Sequence, residues 1–341
     1  MKAAVLTAAE RIEVRELERP RVEAHQVLVK LKACGICTLE QRLFTGHLRL
    51  GYPVVPGHEA SGVVVEVGTS VYSGIPVGAH VALDLVARCG ACHYCRTGRS
   101  NLCLNRFSGR RSVLGGFGEL VAVDASQVFS IPDHLAFDEA AFAEPLSCCL
   151  RSLRAIDLAL AEDLLVLGAG PMGQLHVQLA ARMGARVFVS DPDHSRLEMA
   201  RSLGAFAAVD PSREDPSAVV RTHTEGRGVD ACVVTSPAPA ALQTAFQAIA
   251  KGGRINIYTA YDDEPALPVD ANTIHRSEVR VLGTEGRTPQ DFCQAVRLLS
   301  FGFVNVRPLI SRKVGFGEIE AGMRAALASE TYRVLLEHES V

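Results

Sequence analysis

The chain has no tryptophan and only 6% aromatic residues, and none of its apolar runs approaches the roughly 20 residues a membrane span needs. It has no excess of positive charge. Lys and Arg total 35 against 38 Asp and Glu, a net charge of −3. That balance gives no global attraction to nucleic acid or to an anionic membrane. The opening MKAAVLTAAERIEVRE turns charged by Glu10, too early for a secretory leader. A cytoplasmic location is the expectation. Internal repeats and low-complexity tracts are also missing. The sequence does have length: 341 residues exceed the roughly 250–300 at which one hydrophobic core stops growing, so two domains are expected. Hydrophobic residues at 48% and charged residues at 21% are globular values and exclude wholesale disorder.

The first 150 residues read as strand-rich. Gln26–Ala33, Gly62–Val67, Val77–Leu83 and Glu119–Val123 are short, rich in β-branched residues and bounded by turn formers. From Asp163 short apolar runs alternate with helical stretches: 164–167, 186–190, 230–235, 254–258 and 279–282. That alternation predicts parallel strands with crossover helices. Met172–Met183 places Met172, Leu175, Leu179 and Met183 on one stripe, as a helix covering a sheet should. Pro239–Ala250 and Thr288–Phe301 are further helices, and Arg333–Glu337 is a closing strand.

Residues 164–173 read LLVLGAGPMG. A strand feeds Gly168-x-Gly170-x-x-Gly173, with Pro171 and Met172 between the last two glycines, and a helix follows. The first glycine allows the turn, the second lets backbone approach a pyrophosphate, and the third lets helix and strand pack closely. The helix N-terminus offers free N–H groups to the anion. Asp191, at the end of the next strand, is placed to bind ribose hydroxyls and to disfavour a 2′-phosphate. NAD is therefore expected rather than NADP. Arg196 is the residue that would serve NADP, but it lies past Asp191 on an expected surface helix, with no arginine expected beside the acid.

Ten cysteines would be unusual as disulfides in a reducing compartment, and six fall in two tight clusters, which points to metal. Cys89-x2-Cys92-x2-Cys95-x7-Cys103 can close a tetrahedron of thiolates around Zn²⁺ with no open position, a structural site. An iron–sulfur run would have three residues before its last cysteine and a proline after it; here Leu104 follows. Six arginines lie between Arg88 and Arg111 without an acid. They are expected to offset the thiolate charge on a solvated lobe rather than to bind DNA.

The second cluster is CGICTLE at 34–40, to be read with PGHEASG at 56–62 and FAEPLSCCL at 142–150. A thiolate, an imidazole and a carboxylate form the mixed ligand set typical of a catalytic zinc with a position left for substrate. Singly each piece is ambiguous. His58 alone reads as an ordinary hydrogen-bonded histidine and Glu144 as an N-terminal helix acid. Cys34, Cys148 and Cys149 read as core.

Together these motifs resemble the zinc-dependent medium-chain dehydrogenases, most closely the sorbitol/polyol and threonine dehydrogenase branch. The likeness is carried over essentially the full length by GIC ending at Cys37, GHEASGVVVEVGTSV at 57–71, the four-cysteine lobe, AEPL at 143–146, LGAGPMG with Asp191, and IHRSEVRVLGT at 274–284. The resemblance implies an α/β chain: a Rossmann doubly wound parallel sheet inserted into a β-rich GroES-like catalytic domain. The expected divisions are a catalytic domain at 1–150, carrying the zinc lobe at 88–104, an NAD-binding domain at 151–285, and a return to the catalytic domain at 286–341. It also implies two zinc ions per chain. Cys37 and His58 become catalytic zinc ligands. Glu59 and Glu144 are either ligands or neighbours holding the metal's water, and Glu40 orients the histidine.

The implied reaction is oxidation of a secondary alcohol (polyol, sugar, cyclitol or amino alcohol) to a ketone with NAD, by a homodimer or homotetramer. The reverse reduction, a carrier-bound substrate, or a non-catalytic NAD- and zinc-binding role stay open. Two positions depart from the family pattern. Leu39 stands where a Ser or Thr takes the substrate proton, and Arg42 stands where a histidine often continues the proton chain. Thr38 and Glu144 are the candidate substitutes. Thr38 would need a turned backbone, because adjacent strand residues point to opposite faces.

Overall fold

A computed structural model describes residues 1–48, 51–72, 74–106, 115–261 and 271–338. Its strands, in chain order, are β1 (Lys2–Ala8), β2 (Arg11–Glu16), β3 (Gln26–Ile36), β4 (Glu59–Val67), β5 (His80–Asp84), β6 (Leu120–Asp124), β7 (Val128–Ser130), β8 (Asp163–Leu167), β9 (Arg186–Ser190), β10 (Ala207–Val209), β11 (Val229–Val234), β12 (Ile249–Ile257), β13 (Arg280–Gly283), β14 (Ile310–Val314) and β15 (Arg333–Glu337). The chain divides into two compact units, one made of Met1–Ser147 with Arg287–Val341 and the other of Cys148–Gly286. The first division falls inside the helix Ala143–Ala155.

The first unit is built on a seven-stranded sheet in the order β14-β15-β3-β4-β5-β7, with β6 also pairing β3. β3 and β4 run antiparallel, with Gly35 opposite Glu59. β3 is buried at Val27, Leu28, Val29, Leu31, Ala33 and Cys34. A strand covered this way reads as a nearly continuous apolar run, and burying each Leu- or Val-sized side chain contributes about 1.5–3 kcal/mol. The last strand, β15, lies between β14 and β3, parallel to one and antiparallel to the other.

The second unit is a six-stranded sheet in the order β10-β9-β8-β11-β12-β13, with every pairing parallel. All five residues of β8 are buried, as a central parallel strand requires. The helix after β8 is Pro171–Arg182, buried continuously from Gly173 to Ala180. Met183 departs from the expected stripe: it is the helix C-cap and 39% exposed, because the helix ends before it. No helix among the described residues is long and apolar enough to cross a membrane.

Candidate functional site

The metal-ligating side chains of the first unit meet where β3 ends and β4 begins. Cys37 follows β3 directly and is the N-cap of the helix Thr38–Phe44. Glu40 sits in the first turn of that helix and is fully buried. Its Oε2 accepts the Cys37 N–H at 3.0 Å, and its Oε1 accepts the Gly57 N–H at 3.1 Å. The same Oε1 lies 2.7 Å from His58 Nδ1. One carboxylate thus ties the helix start to the His58 turn and leaves Nε2 for a ligand. The ligand atoms of Cys37, His58 and Glu59 all lie within 4.8 Å of one another. Glu144 Oε1 is 3.8 Å from His58 Nε2. The sequence-predicted set of Cys37, His58, Glu59, Glu144 and Glu40 is therefore brought together in one unit. A Cβ on Gly35 would fall 2.0 Å from Glu59 Oε2, so only glycine leaves room for that carboxylate.

Two arginines that sequence reasoning did not single out pair with the acids. Arg333, the first residue of β15, places Nη2 3.0 Å from Glu59 Oε1 and donates Nη1 to the Ile36 carbonyl at 3.2 Å. Arg287 pairs through Nη1 with Glu144 and through Nη2 with Asp84 at 2.8 Å. The one sequence signal for Arg333 is a cation opening an apolar strand; Arg287 has none.

Burial, and after it the Glu59 carboxylate, pushes the Cys37 thiol up, and burial pushes Glu59 up. Burial pushes the His58 imidazole down, but Glu40, then Cys37 and Glu144, outweigh it and hold the ring well above its usual range. A half-buried thiol and a buried carboxylate that resist ionisation are donors whose anionic forms call for a cation, so this set fits zinc.

The backbone at Thr38 is turned, the condition Thr38 needs to reach the site. It opens a helix, and it is exposed. Leu39 is half-buried against the apolar core.

The Sγ atoms of Cys89, Cys92, Cys95 and Cys103 also lie within 4.8 Å of one another. Backbone N–H groups already donate to two of these sulfurs: Cys92 N to Cys89 Sγ at 3.3 Å, and Cys89 N and Asn105 N to Cys103 Sγ at 3.4 Å. The Asn105 side chain, then the backbone of Ala91 and Cys92, brings the Cys89 thiol down to about 5, while desolvation pushes Cys95 up to about 12. Preformed N–H···S contacts around four convergent sulfurs fit a closed zinc site. The lobe's arginines are not one solvated set. Arg88 turns inward, 11% exposed, onto Asp84 at 2.6 Å. Arg99 lies over the Tyr94 ring, and Arg106 donates to the Asn101 carbonyl at 2.8 Å. Arg110 and Arg111 lie outside the described residues.

In the second unit the glycine turn follows β8. Gly168 has φ +104°, and a Cβ on Gly173 would fall 1.9 Å from the Gly168 carbonyl oxygen. Gly170 is the N-cap of the helix that starts at Pro171 and Met172. A Cβ there would meet only the Arg196 guanidinium, at 3.6 Å, so the space over the turn fits a ligand's phosphates. Asp191 Oδ2 accepts the Ala169 N–H at 2.7 Å, and its Oδ1 accepts the Asp193 N–H at 2.9 Å. The expectation of no arginine beside Asp191 needs correction. Arg196 Nη1 is 3.9 Å from Asp191 Oδ2, and the side chain is 19% exposed, because the helix His194–Ser202 turns its first residues back over the glycine turn. Cys149 and Cys34 are fully buried, as expected for core, whereas Cys148 is half-buried.

Residues 23–133 match the alcohol dehydrogenase GroES-like domain, and residues 171–300 match the zinc-binding dehydrogenase domain. An alcohol dehydrogenase of Geobacillus stearothermophilus is 32% identical over 321 residues, covering 91% of this chain and 93% of its own. The sorbitol dehydrogenase of Bacillus subtilis is 30% identical over 333 residues, covering 96% and 94%. The solved structure of a zinc-binding dehydrogenase from Sinorhizobium meliloti 1021, bound to NADP, superposes with a TM-score of 0.92 at 32% identity, covering 98% of both chains. With its two metal-fitting clusters, its glycine turn on a parallel sheet and this full-length kinship, the chain belongs to the zinc-dependent medium-chain branch of the alcohol dehydrogenase superfamily.

Proposed function

We propose that the protein oxidises a secondary alcohol of the polyol, sugar, cyclitol or amino alcohol class to the ketone, with NAD as hydride acceptor. The observation that carries this reading is the convergence of Cys37, His58 and Glu59 within 4.8 Å, with Glu144 3.8 Å from the same histidine. Cys37, His58 and Glu59 would hold the catalytic zinc, and Cys89, Cys92, Cys95 and Cys103 a second, structural one. The bound groups supply Lewis acidity toward a substrate hydroxyl and a hydride-accepting ring.

The chain's own residues do the rest. Glu40 fixes the ring orientation of His58. Arg333 and Arg287 hold the two carboxylates Glu59 and Glu144 in place as buried ion pairs. The polyol part of this reading leans on the likeness to the sorbitol dehydrogenase relative. Glu144 takes the substrate proton, directly or through one water. Leu39 carries no titratable group, and Thr38 is exposed at the helix start. Gly168, Gly170 and Gly173 receive the pyrophosphate, and Asp191 the adenosine ribose.

The test is a panel of D-sorbitol, a hexose, an inositol, L-threonine and 2,3-butanediol, supplied in turn to zinc-loaded protein with NAD and followed by the absorbance of NADH. Turnover of at least one is expected, and none across the panel overturns the substrate reading. General acid–base assistance is typically worth about 10²–10⁴-fold. Glu144→Gln should lose that much in kcat while zinc stays bound, and Thr38→Val should be nearly silent. Unchanged turnover in Glu144→Gln removes Glu144 from the proton route.

A further inference from the structure

The Arg287 guanidinium is split between two acids, Glu144 through Nη1 and Asp84 through Nη2. Arg287 is 4% exposed and Asp84 1%. Asp84 ends β5 and stands opposite Glu59 in the β4–β5 ladder. Its second oxygen, Oδ2, accepts from Arg88 Nη1 at 2.6 Å. Arg88 Nη2 then donates to the backbone carbonyl of Arg287 at 3.0 Å, and Nη1 reaches the Val86 carbonyl at 3.2 Å. The ring closes: Asp84 bridges two guanidiniums, and one of them grips the main chain of the other. Arg88 immediately precedes Cys89, the first sulfur of the four-cysteine lobe.

The two acids and two arginines balance in charge. Buried ionic sets are weak evidence for stability, since well-packed apolar residues often serve as well. Geometry is the more direct consequence here. With Asp84 drawing on Nη2, Arg287 meets Glu144 through Nη1, and Glu144 Oε1 is held at 3.8 Å from His58 Nε2. Without Asp84 the fork loses the acid on its Nη2 side, and with it one of the two contacts that fix how Nη1 meets Glu144.

We propose that Asp84 and Arg88 are positioning residues that set Glu144 through Arg287, and that Arg88 thereby ties the four-cysteine lobe to the Cys37–His58–Glu59 centre. The proposal rests on the reading that Glu144 serves that centre.

The test replaces the metal of the Cys37–His58–Glu59 centre with Co²⁺, keeps zinc in the lobe, and records the visible d–d spectrum of the wild type and of Asp84→Asn, Arg88→Met and Arg88→Lys. In parallel it measures kcat and the KM for NAD on whichever panel alcohol is turned over. Displacing a reacting group by about 1 Å costs up to roughly 100-fold in rate. Asp84→Asn and Arg88→Met are expected to shift the cobalt bands and to lower kcat roughly 10–100-fold with the KM for NAD unchanged. Arg88→Lys, which keeps the charge, should recover part of both. If Asp84→Asn does not fold, the Arg88 pair decides. Folded Arg88→Met with the wild-type cobalt spectrum overturns the proposal, whatever its melting temperature. A wild type that oxidises no panel alcohol sinks the substrate reading instead, while the cobalt spectra still judge the positioning.

Discussion

Glu40 Oε1 stands 2.7 Å from His58 Nδ1, and the same carboxylate receives the backbone N–H groups of Gly57 and Cys37. A partner of this kind fixes the histidine tautomer and typically contributes roughly 10–100-fold in metal affinity. Glu40→Ala should therefore lose zinc from the Cys37–His58–Glu59 centre on dialysis against a chelator while the lobe keeps its own. Metal analysis after dialysis reads this directly, and equal retention at both sites would remove Glu40 from the metal's support.

The four-cysteine lobe should behave as a folding element. Structural zinc is worth roughly 10–16 kcal/mol in small peptides, comparable to the roughly 5–15 kcal/mol stability of a whole domain. Cys95→Ser should leave one zinc per chain in place of two and cost yield and melting temperature more than kcat/KM. An iron–sulfur absorption band in the purified protein contradicts the assignment.

On the proposed reading, cofactor choice turns on two residues 3.9 Å apart, Asp191 and Arg196. The carboxylate repels a 2′-phosphate, and the guanidinium attracts one. NAD should win in the unmutated protein, Asp191→Ala should narrow the preference, and Arg196→Ala should weaken NADP more than NAD. Equal kcat/KM for the two dinucleotides in the wild type would refute the role given to Asp191.

Acid should destabilise the second unit through His176. Burial brings this imidazole down from 6.5 to about 4, although its Nδ1 lies 2.8 Å from the Met172 carbonyl oxygen. The unfolded chain then binds a proton that the folded one refuses. Stability from this group is complete above pH 6.5 and falls as pH drops toward 4, by on the order of 3 kcal/mol. His176→Leu should flatten the difference between melting curves at pH 7 and pH 4.5. His338 in the first unit, also down to about 4 through burial, adds a loss of the same sign. A pH dependence unchanged by His176→Leu would show that His176 is not buried neutral.

The four-cysteine cluster was legible because its sulfurs fall in one short stretch, around the helix His93–Arg96. Cys37, His58 and Glu144 are far apart and ambiguous singly, and only the family resemblance joined them. The parallel sheet was legible because β8, β9 and β11 are continuous apolar runs. The arginines were not legible. Arg287 meets Glu144 across 143 residues, and nothing local distinguishes it from the chain's other cations. At Thr38 strand alternation stops applying, because Cys37 follows the end of a strand and caps a helix at one residue. Arg196 was misread because a helix-surface position says nothing about which loop the side chain folds back over.

The insertion of β15 between β14 and β3 also sets an order of assembly in the growing polypeptide. A nascent chain that has delivered everything through Gly286 holds a complete parallel sheet, yet the Ala33–Ile36 edge of β3 still waits for its neighbour. Arg333, the counter-ion of Glu59, arrives only with that neighbour. Until then Glu59, on the neighbouring β4, lacks this counter-ion, and the unpaired end of β3 is prone to mispairing. The Cys37–His58–Glu59 cluster therefore gains its full set of charge partners only once Arg333 has been added to the chain.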